Sequence, residues 1–197
     1  MSDFGPVQLR PALTCEARSM AEMSRDLVET GLGWRYTPIR MATLISDPDT
    51  VALVASDASH IQGFAVMRFG DEHAHLALLC VDAGRQRRGI ASRLTEWLVK
   101  SAQVAGITSI GLEVRADNLA ALAFYRRLAF SETQWLPGYY SDRIAARRMV
   151  RTLRRDATPG HRCASRLASH PASCAPHRRG DAKKVDDWHY GLRASRW

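Results

Sequence analysis

The chain has 197 residues, of which 46% are hydrophobic and 24% are charged, and its formal net charge is +8. This length leaves room for one sizeable hydrophobic core, and the composition excludes collagen-like, coiled-coil and wholly disordered proteins. A net positive charge suggests a nucleic-acid or acidic-membrane partner. However, residues 1–150 hold 17 basic and 16 acidic side chains, whereas residues 151–197 hold 11 and 4. The basic character therefore belongs to a tail, and the main body is nearly neutral.

The sequence predicts a reduced, cytoplasmic protein with no membrane partner. Its longest apolar runs, such as residues 76–81, are far shorter than the ~18–20 residues that span a bilayer. Residues 1–6 lack the basic and apolar regions of a signal peptide. Four cysteines in a chain of this length do not make a disulfide framework. One of them, Cys80, lies in an apolar run and is expected to be a small core residue.

In the first half of the chain, apolar spacing and turn-forming residues predict one strand, two helices and three further strands. The first helix covers residues 13–30, with Thr14 as its cap and Gly31 as its end. The second begins with Thr37 as cap and Pro38 at its first position. The predicted strands cover residues 7–10, 51–55, 61–69 and 75–81.

The second half predicts a long helix, a strand, a shorter helix and two final strands. The long helix covers residues 89–105, and its apolar side chains at helical spacing are Ile90, Leu94, Trp97, Leu98 and Val104. The strand covers 107–114, the shorter helix covers 118–128, and a hairpin around Pro137-Gly138 joins strands 130–135 and 144–153. The strand–helix–strand unit 75–114 predicts a parallel crossover, and the whole order predicts a mixed α/β domain.

The regular pattern stops after about residue 154. The tail has too few apolar residues to offset the entropy of ordering it, so we expect residues 154–197 to be disordered. Its cysteines and histidines lack the paired spacing of a zinc site, and we expect no metal. Three interpretations of the tail stay open: nucleic-acid contact, a lineage-specific extension without a role, or a reading-frame accident.

The sharpest local feature is the turn at residues 85–91, which joins an apolar strand to the long helix. A helix N-terminus has unpaired N–H groups and a partial positive charge. Gly89 allows a bulky anion to approach the backbone, Ala91 keeps the first turn small, and Arg87 and Arg88 add charge. This combination predicts a phosphate or pyrophosphate site. The alternative is a glycine-containing loop with solvated arginines, and the pattern is neither a Walker loop nor a Rossmann fingerprint.

Two linked segments carry a resemblance to a known family. The sequence Q-R-R-G-I-A at residues 86–91 resembles motif A of the GNAT family of N-acetyltransferases, written Q/R-x-x-G-x-G/A. The sequences L-E-V-R-A-D-N at 112–118 and A-F-Y-R-R-L-A-F at 123–130 resemble motif B. The residues Pro137-Gly138-Tyr139-Tyr140 resemble a later Tyr-Tyr segment, and the nearest type is the ribosomal-protein-alanine N-acetyltransferases.

The chain departs from the family pattern at three positions. Ala83 stands where a proline is common, and Ala129 replaces the usual glycine before Phe130. Gly138 stands where the nearest type has an asparagine before the two tyrosines. The third departure bears on the substrate more than on the chemistry.

The resemblance implies the family's fold over residues 6–153: a mixed, mostly antiparallel sheet with a central parallel strand pair, flanked by about four helices. It also implies acetyl-CoA as cosubstrate, no metal, and transfer of an acetyl group to a primary amine, with a protein N-terminal amine as first choice. Two alternatives stay open. The acceptor could be a small amine, or the protein could be a non-catalytic acyl-CoA-binding regulator whose tail contacts nucleic acid.

The resemblance also implies which residues would bind the cosubstrate. The backbone of Leu79, Cys80 and Val81 would pair with the pantetheine arm as an added strand and supply an oxyanion donor. Asn118 would contact the pantetheine. The residues expected at the diphosphate are Arg87, Arg88, Gly89, Ile90, Ala91 and Ser92.

Two side chains are candidates for proton transfer. Glu113 lies inside an apolar strand, where a carboxylate is costly unless paired. It is the predicted base, acting directly or through water, and the alternative is a structural ion pair with an arginine. The resemblance implies that Tyr125 returns a proton to the leaving thiolate, and the alternative is a core aromatic residue beside Phe124 and Phe130.

The acceptor side is expected to be lined by aromatic residues. Tyr139 and Tyr140 would form one wall. Trp34 would form the other, unless it is only a buried anchor for its own loop. We expect His73 and His75, which alternate along a strand, to be ordinary strand residues.

Overall fold

The computed structural model describes residues 7–57, 60–140 and 144–153, and our predictions for residues 154–197 lie outside them. The described residues belong to one compact unit. Its strands are Gln8–Pro11 (β1), Thr50–Ser56 (β2), Ile61–Phe69 (β3), His73–Val81 (β4), Ser109–Arg115 (β5), Ser131–Tyr140 (β6) and Ile144–Thr152 (β7). Its α-helices are Ala17–Leu27 (α1), Pro38–Ser46 (α2), Ile90–Val104 (α3) and Leu119–Arg127 (α4).

The strands form a single sheet with the order β1-β2-β3-β4-β5-β7-β6. All neighbouring strands are antiparallel except β4 and β5, which are parallel because α3 crosses over between them. One hydrophobic cluster packs α3 and α4 against the sheet, and a second packs α1 and α2. These features confirm the predicted fold: a mostly antiparallel sheet with a central parallel pair and four flanking helices.

The parallel pair is joined over only a short length. The ladder between β4 and β5 covers three pairs, of which the last is His75 with Gly111. Beyond it β5 continues to pair with β7 as far as Arg115, while β4 continues to pair with β3. The register between β3 and β4 shifts at this point, because Val66 pairs with Leu78 and Met67 with Leu76. Residues 76–81 of β4 and 112–115 of β5 therefore border an opening in the sheet, the β4–β5 gap.

The start of α1 differs from our prediction. A 3₁₀ turn, Thr14–Glu16, precedes the helix, and Thr14 is not its cap. Instead the Glu16 carboxylate accepts hydrogen bonds from the Leu13 backbone N–H at 2.8 Å and from the Arg10 guanidinium at 2.6 Å. The prediction for α2 is confirmed, since the Thr37 hydroxyl accepts a hydrogen bond from the Arg40 backbone N–H and Pro38 begins the helix.

The apolar face of α3 lies slightly to one side of the predicted one. Ile90, Leu94 and Leu98 are buried as expected, but Trp97 is 38% exposed and Val104 is 91% exposed. Val99 and Ala102 are buried in their place. A step of four residues, from 90 through 94 and 98 to 102, follows the face that packs on the sheet, and the last exposed valine falls outside it.

The final hairpin also differs from our prediction. β6 passes through Pro137 and Gly138 and ends at Tyr140, which pairs with Ile144. The strand therefore does not reverse at Pro137-Gly138. The register shift between Leu136 and Tyr140 accommodates the proline and glycine inside the strand, as is usual for an edge strand that can tolerate a missing N–H.

The departure at Ala129 has a clear structural consequence. Its φ angle is 62°, so an alanine occupies the left-handed conformation that follows the end of α4. A non-glycine residue there brings its Cβ close to the following carbonyl oxygen at a cost of roughly 1–2 kcal/mol. The usual glycine would avoid this strain.

We predict that Ala129→Gly stabilises the protein by about 0.5–1 kcal/mol, since relief of strain exceeds the extra chain entropy of glycine. Urea unfolding followed by circular dichroism measures the difference. Ala123 is a matched control, because it is an exposed alanine inside α4. Ala123→Gly should cost about 0.5–1 kcal/mol, so equal losses at both positions would contradict the explanation.

Candidate active site

One border of the β4–β5 gap is the backbone of residues 79–81. These residues follow the last ladder pair with β5, so in the described part of the chain β5 gives their backbone no ladder partner. The Cys80 side chain is 3% exposed, and its thiol contacts the Met23 carbonyl oxygen at 3.6 Å. Burial raises the pKa of this thiol to about 12. Cys80 is therefore a small core residue, as predicted, and presents backbone rather than a reactive sulfur to the gap.

The turn from β4 into α3 is held by its own side chains. The Asp82 carboxylate accepts a hydrogen bond from the Gly84 backbone N–H at 2.9 Å. The Gln86 amide donates to the Val81 carbonyl oxygen at 3.3 Å. Arg87 and Gly89 then take positive φ angles of 63° and 79°, so the chain turns sharply before the helix begins.

The N-terminus of α3 is open toward its axis. Gly89 occupies the cap position and makes no side-chain capping bond, which leaves the first N–H groups of a 15-residue helix without helical partners. A Cβ atom built on Gly89 would meet nothing within 4 Å. The predicted diphosphate residues 87–92 therefore surround an open helix end with two arginines beside it.

A close contact fixes this helix end beside β4. A Cβ atom on Gly63 of β3 would lie 2.9 Å from the Cys80 carbonyl oxygen and 3.2 Å from Cγ2 of Ile90. Only glycine allows this approach without a shift of the backbone. Asn118, the remaining cosubstrate candidate, caps α4, since its Oδ1 accepts a hydrogen bond from the Ala121 N–H at 3.0 Å.

The other border of the gap carries a buried acid. Leu112 and Val114 of β5 belong to the cluster under α3 and α4, so Glu113 between them points to the opposite face of the sheet. Its side chain is only 5% exposed. Oε2 lies 2.7 Å from Nε2 of His75, and Oε1 accepts a hydrogen bond from Nε of Arg148 at 3.0 Å.

These partners decide the ionisation of Glu113. Burial alone would raise the pKa of the carboxyl group, but the hydrogen bonds and charges of His75 and Arg148 outweigh it and lower the pKa to about 2. The carboxylate is therefore ionised at neutral pH. The ion pair with an arginine that the sequence left open is present, and the role of Glu113 as base stays a prediction.

Tyr125 approaches the gap from the α3 and α4 face. It is buried among apolar residues, and its ring contacts Phe124 and Phe130 edge to face, with centroids 5.1 and 5.6 Å apart. Burial and the nearby Tyr140 raise the pKa of its hydroxyl. Tyr125 is thus both a core aromatic residue and a phenol that stays protonated, and its role as acid stays a prediction.

Three tyrosines surround Glu113 on its face of the sheet. The rings of Tyr139 and Tyr140 meet edge to face at 4.9 Å, and the Tyr140 hydroxyl donates to the Glu113 carbonyl oxygen at 3.4 Å. Burial and the charge of Glu113 raise the pKa of both hydroxyls. Tyr36, from the loop after α1, also interacts with Glu113. We call Tyr36, Tyr139 and Tyr140 the tyrosine cluster.

Trp34 lies further out than a buried anchor would. It is 39% exposed, its Nε1 donates to the Tyr36 carbonyl oxygen at 3.1 Å, and the Arg25 guanidinium lies 5.2 Å from the ring centre. It therefore supports the loop that carries Tyr36 and keeps one face accessible. Its contact with an acceptor stays a prediction.

The sequence analysis did not identify Glu29 and Arg115, which hold this loop in place. Glu29 is 4% exposed and accepts hydrogen bonds from the backbone N–H groups of Arg35 and Tyr36 at 2.7 and 3.3 Å. Arg115 at the end of β5 donates to the Thr30 carbonyl oxygen at 3.1 Å. Both contacts form only when the loop folds back against β5, so neither has a signal in the sequence.

The described residues contain neither a cluster of metal-ligand side chains nor a membrane-spanning helix. In residues 7–57, 60–140 and 144–153, no three or more His, Cys, Asp or Glu side chains are grouped so as to hold a metal ion. None of the helices in these ranges is long and apolar enough to cross a membrane.

Comparison with known proteins agrees with this geometry. The 27% identical Ard1 from Thermoplasma volcanium superposes with a TM-score of 0.66, over 75% of this chain and 97% of that one. The ribosomal-protein-S18-alanine N-acetyltransferase from Escherichia coli has a TM-score of 0.67 at 21% identity, over 81% of this chain and all of that one. At this identity, the likeness to the Escherichia coli structure shows a shared fold.

Curated relatives match over shorter segments. The [ribosomal protein bS18]-alanine N-acetyltransferase of Salmonella typhimurium is 36% identical over 88 residues, which is 45% of this chain and 58% of that protein. An N-alpha-acetyltransferase of Saccharolobus solfataricus is 38% identical over 80 residues, 40% of this chain and 48% of that protein. The chain thus spans about half the length of the curated relatives it matches. The family model described as "Acetyltransferase (GNAT) family" matches residues 19–130, which contain α3, the β4–β5 gap and both predicted proton-transfer residues, and the chain belongs to this family.

Proposed function

We propose that the protein is an N-acetyltransferase that moves an acetyl group from acetyl-CoA to a protein N-terminal amine. The observation that carries this proposal is the β4–β5 gap. It joins the open end of α3 and Tyr125 on one face of the sheet to Glu113 and the tyrosine cluster on the other. A thioester held in the gap is accessible from both faces.

The residues beside the gap fit the cosubstrate. A pyrophosphate needs hydrogen-bond donors and positive charge, which the first N–H groups of α3 and the side chains of Arg87 and Arg88 offer. An extended pantetheine arm with two amide groups needs an unpaired strand edge, which residues 79–81 provide. An N–H of the same edge would then stabilise the oxyanion of the reacting thioester.

The two predicted proton-transfer residues lie on opposite faces of the gap, as the reaction requires. Acetyl transfer to an amine needs removal of a proton from the incoming ammonium and delivery of a proton to the leaving thiolate. On the amine side we place the Glu113 carboxylate with the groups bonded to it. On the thiolate side we place the hydroxyl of Tyr125, which its raised pKa keeps protonated at neutral pH.

The choice of acceptor rests on the relatives and on the cleft. Several relatives are named for alanine or alpha-amine acetylation of proteins. In this chain Tyr139 and Tyr140 meet edge to face beside Glu113, and Trp34 supports the loop that carries Tyr36. We place the acceptor between these two groups of aromatic residues. Aromatic walls around a buried carboxylate suit a short peptide that enters with its ammonium first.

We keep the remaining expectations from the sequence as part of the proposal. The acetyltransferase domain covers residues 6–153, the tail covers residues 154–197, and the protein acts in the cytoplasm. A nearly neutral main body gives no reason for nucleic acid to bind outside the tail.

A panel of acceptors tests the proposal. We expect acetyl-CoA-dependent thiol release with peptides that have a free N-terminus, and little or none with the same peptides acetylated in advance. Polyamines, amino acids and aminoglycosides form the second arm of the panel. Release with small amines alone would overturn the choice of acceptor. Acetyl-CoA binding without release in any arm would favour the non-catalytic regulator.

Tyr125→Phe tests the thiolate side. The variant keeps both ring contacts in the core but loses the hydroxyl, so we expect kcat to fall on the order of 10²-fold. KM for acetyl-CoA and the free energy of unfolding should change little. Steady-state kinetics with urea unfolding measures both, and a variant with normal kcat would show that Tyr125 is only a core aromatic residue.

Gly89→Ala tests the diphosphate site. Its methyl group would project into the open space before α3, and we expect the Kd for acetyl-CoA to rise about tenfold or more, which corresponds to ~1.4 kcal/mol. Gly106→Ala is a matched control at the other end of the same helix, because Gly106 has a φ angle of 78° and also nothing within 4 Å. Both variants incur similar backbone strain, so calorimetry should show weaker binding only for Gly89→Ala. Equal binding by the two variants would exclude this site.

A further inference from the structure

His75 is a partner of Glu113 to which the proposed function gives no task of its own. It lies on β4 at the last ladder pair before the strands part, opposite Gly111. Its side chain is 29% exposed, against 5% for Glu113. In the described part of the chain, the hydrogen bond to Glu113 is the only one that its imidazole makes. An imidazole held at the apex of the reaction gap by a buried carboxylate is placed for proton transfer.

The geometry determines which nitrogen is available. An ionised carboxylate can only accept hydrogen bonds, so the 2.7 Å contact requires that Nε2 of His75 carries a hydrogen and donates to Oε2. In the neutral imidazole the lone pair then lies on Nδ1. The carboxylate thereby fixes the tautomer and the orientation of the ring, as in other carboxylate–histidine pairs.

Glu113 itself is poorly suited to retain the proton. Each of its oxygens already accepts a hydrogen bond, one from His75 and one from Arg148. The hydrogen bonds from His75 and Arg148 lower the pKa of this carboxyl group. A base must present a lone pair to the substrate proton, and Nδ1 of His75 carries one that the contact with Glu113 leaves open.

The charges around the pair come from several elements. The groups that face it are Arg68 on β3, His73 on β4, Glu113 on β5, Arg148 on β7, and the tyrosine cluster. Arg148 stays bonded to Glu113, and burial keeps the tyrosine hydroxyls protonated.

We propose that His75 is the proton acceptor of the reaction and that Glu113 is a positioning residue that orients and stabilises it. This inference rests on the proposed acetyl transfer and assigns a further catalytic residue to it. Nothing in the sequence motifs marks His75, which we had expected to be an ordinary strand residue.

In the proposed step, the substrate ammonium gives one proton to Nδ1 of His75. The nitrogen lone pair of the resulting amine then attacks the thioester carbonyl carbon. The C–N bond forms, the C–S bond breaks, and the thiolate takes a proton from Tyr125. The second proton of the amine, released as the amide forms, restores Tyr125, and the imidazolium returns its proton to solvent.

Three variants separate the two possible bases. His75→Gln keeps a side-chain N–H that can donate to Glu113 but cannot accept the proton. We expect kcat to fall about 10²-fold or more. In the pH profile of kcat/KM, the acid limb assigned to the base should disappear, and only the limb that reflects protonation of the substrate amine should remain. Glu113→Gln should retain the acid limb but lower kcat, because the imidazole loses the carboxylate that orients it.

His73→Gln is the matched control. His73 is an exposed histidine two residues earlier on β4, and its Nδ1 lies 2.9 Å from the hydroxyl oxygen of Ser109 rather than near a carboxylate. We expect its kcat and pH profile to stay within about twofold of the wild type. Acetyl-CoA binding, measured by calorimetry, should be unchanged in all three variants, which shows that the fold and the cosubstrate site persist.

The outcomes distinguish this inference from the proposed function. If wild type releases thiol and His75→Gln keeps both its kcat and its acid limb, the assignment of His75 is wrong. If Glu113→Gln removes the limb while His75→Gln leaves it, Glu113 is the base. If wild type binds acetyl-CoA but acetylates no acceptor, the proposed function itself fails.

Discussion

The parting of β4 and β5 is the constraint on which the site depends. Two parallel strands that stayed paired would leave no backbone edge and no passage between the faces of the sheet. Here pairing stops after His75 and Gly111, while each strand stays fixed to its other neighbour. The gap is therefore held open by rigid ladders on both sides, which gives the pre-organised geometry that catalysis requires.

The two faces of the sheet carry different parts of the site. On one face, α3 presents an open N-terminus close to β4, because Gly63 lets the strand and Ile90 approach. On the other, Glu29 and Arg115 hold the loop with Tyr36 against β5. On this second face the buried carboxylates of Glu29 and Glu113 each accept hydrogen bonds that offset the cost of their burial.

Local signals in the sequence predicted the fold well and the site in part. The Thr37 cap, the Gly89 turn and the alternation in His73–Val81 depend on neighbouring residues, and the sequence shows them directly. The exposed Trp97 and the passage of β6 through Pro137 depend on which face meets the sheet and which strand lies at its edge. Those are properties of the assembled sheet, and a single sequence does not state them.

The network around Glu113 shows the same limit at the level of chemistry. Motif B identified the carboxylate, but His75 and Arg148 lie 38 and 35 residues away along the chain and meet it only through strand register. The strand register places His75 of β4 and Glu113 of β5 on one face of the sheet, and it pairs Arg148 of β7 with Glu113. The proton affinity of Glu113 is set by these neighbours, so a motif can name the residue and leave its ionisation open. A charged residue inside an apolar strand is best interpreted together with the polar residues on adjoining strands, because they determine whether it is a base, an ion-pair partner or the support of another base.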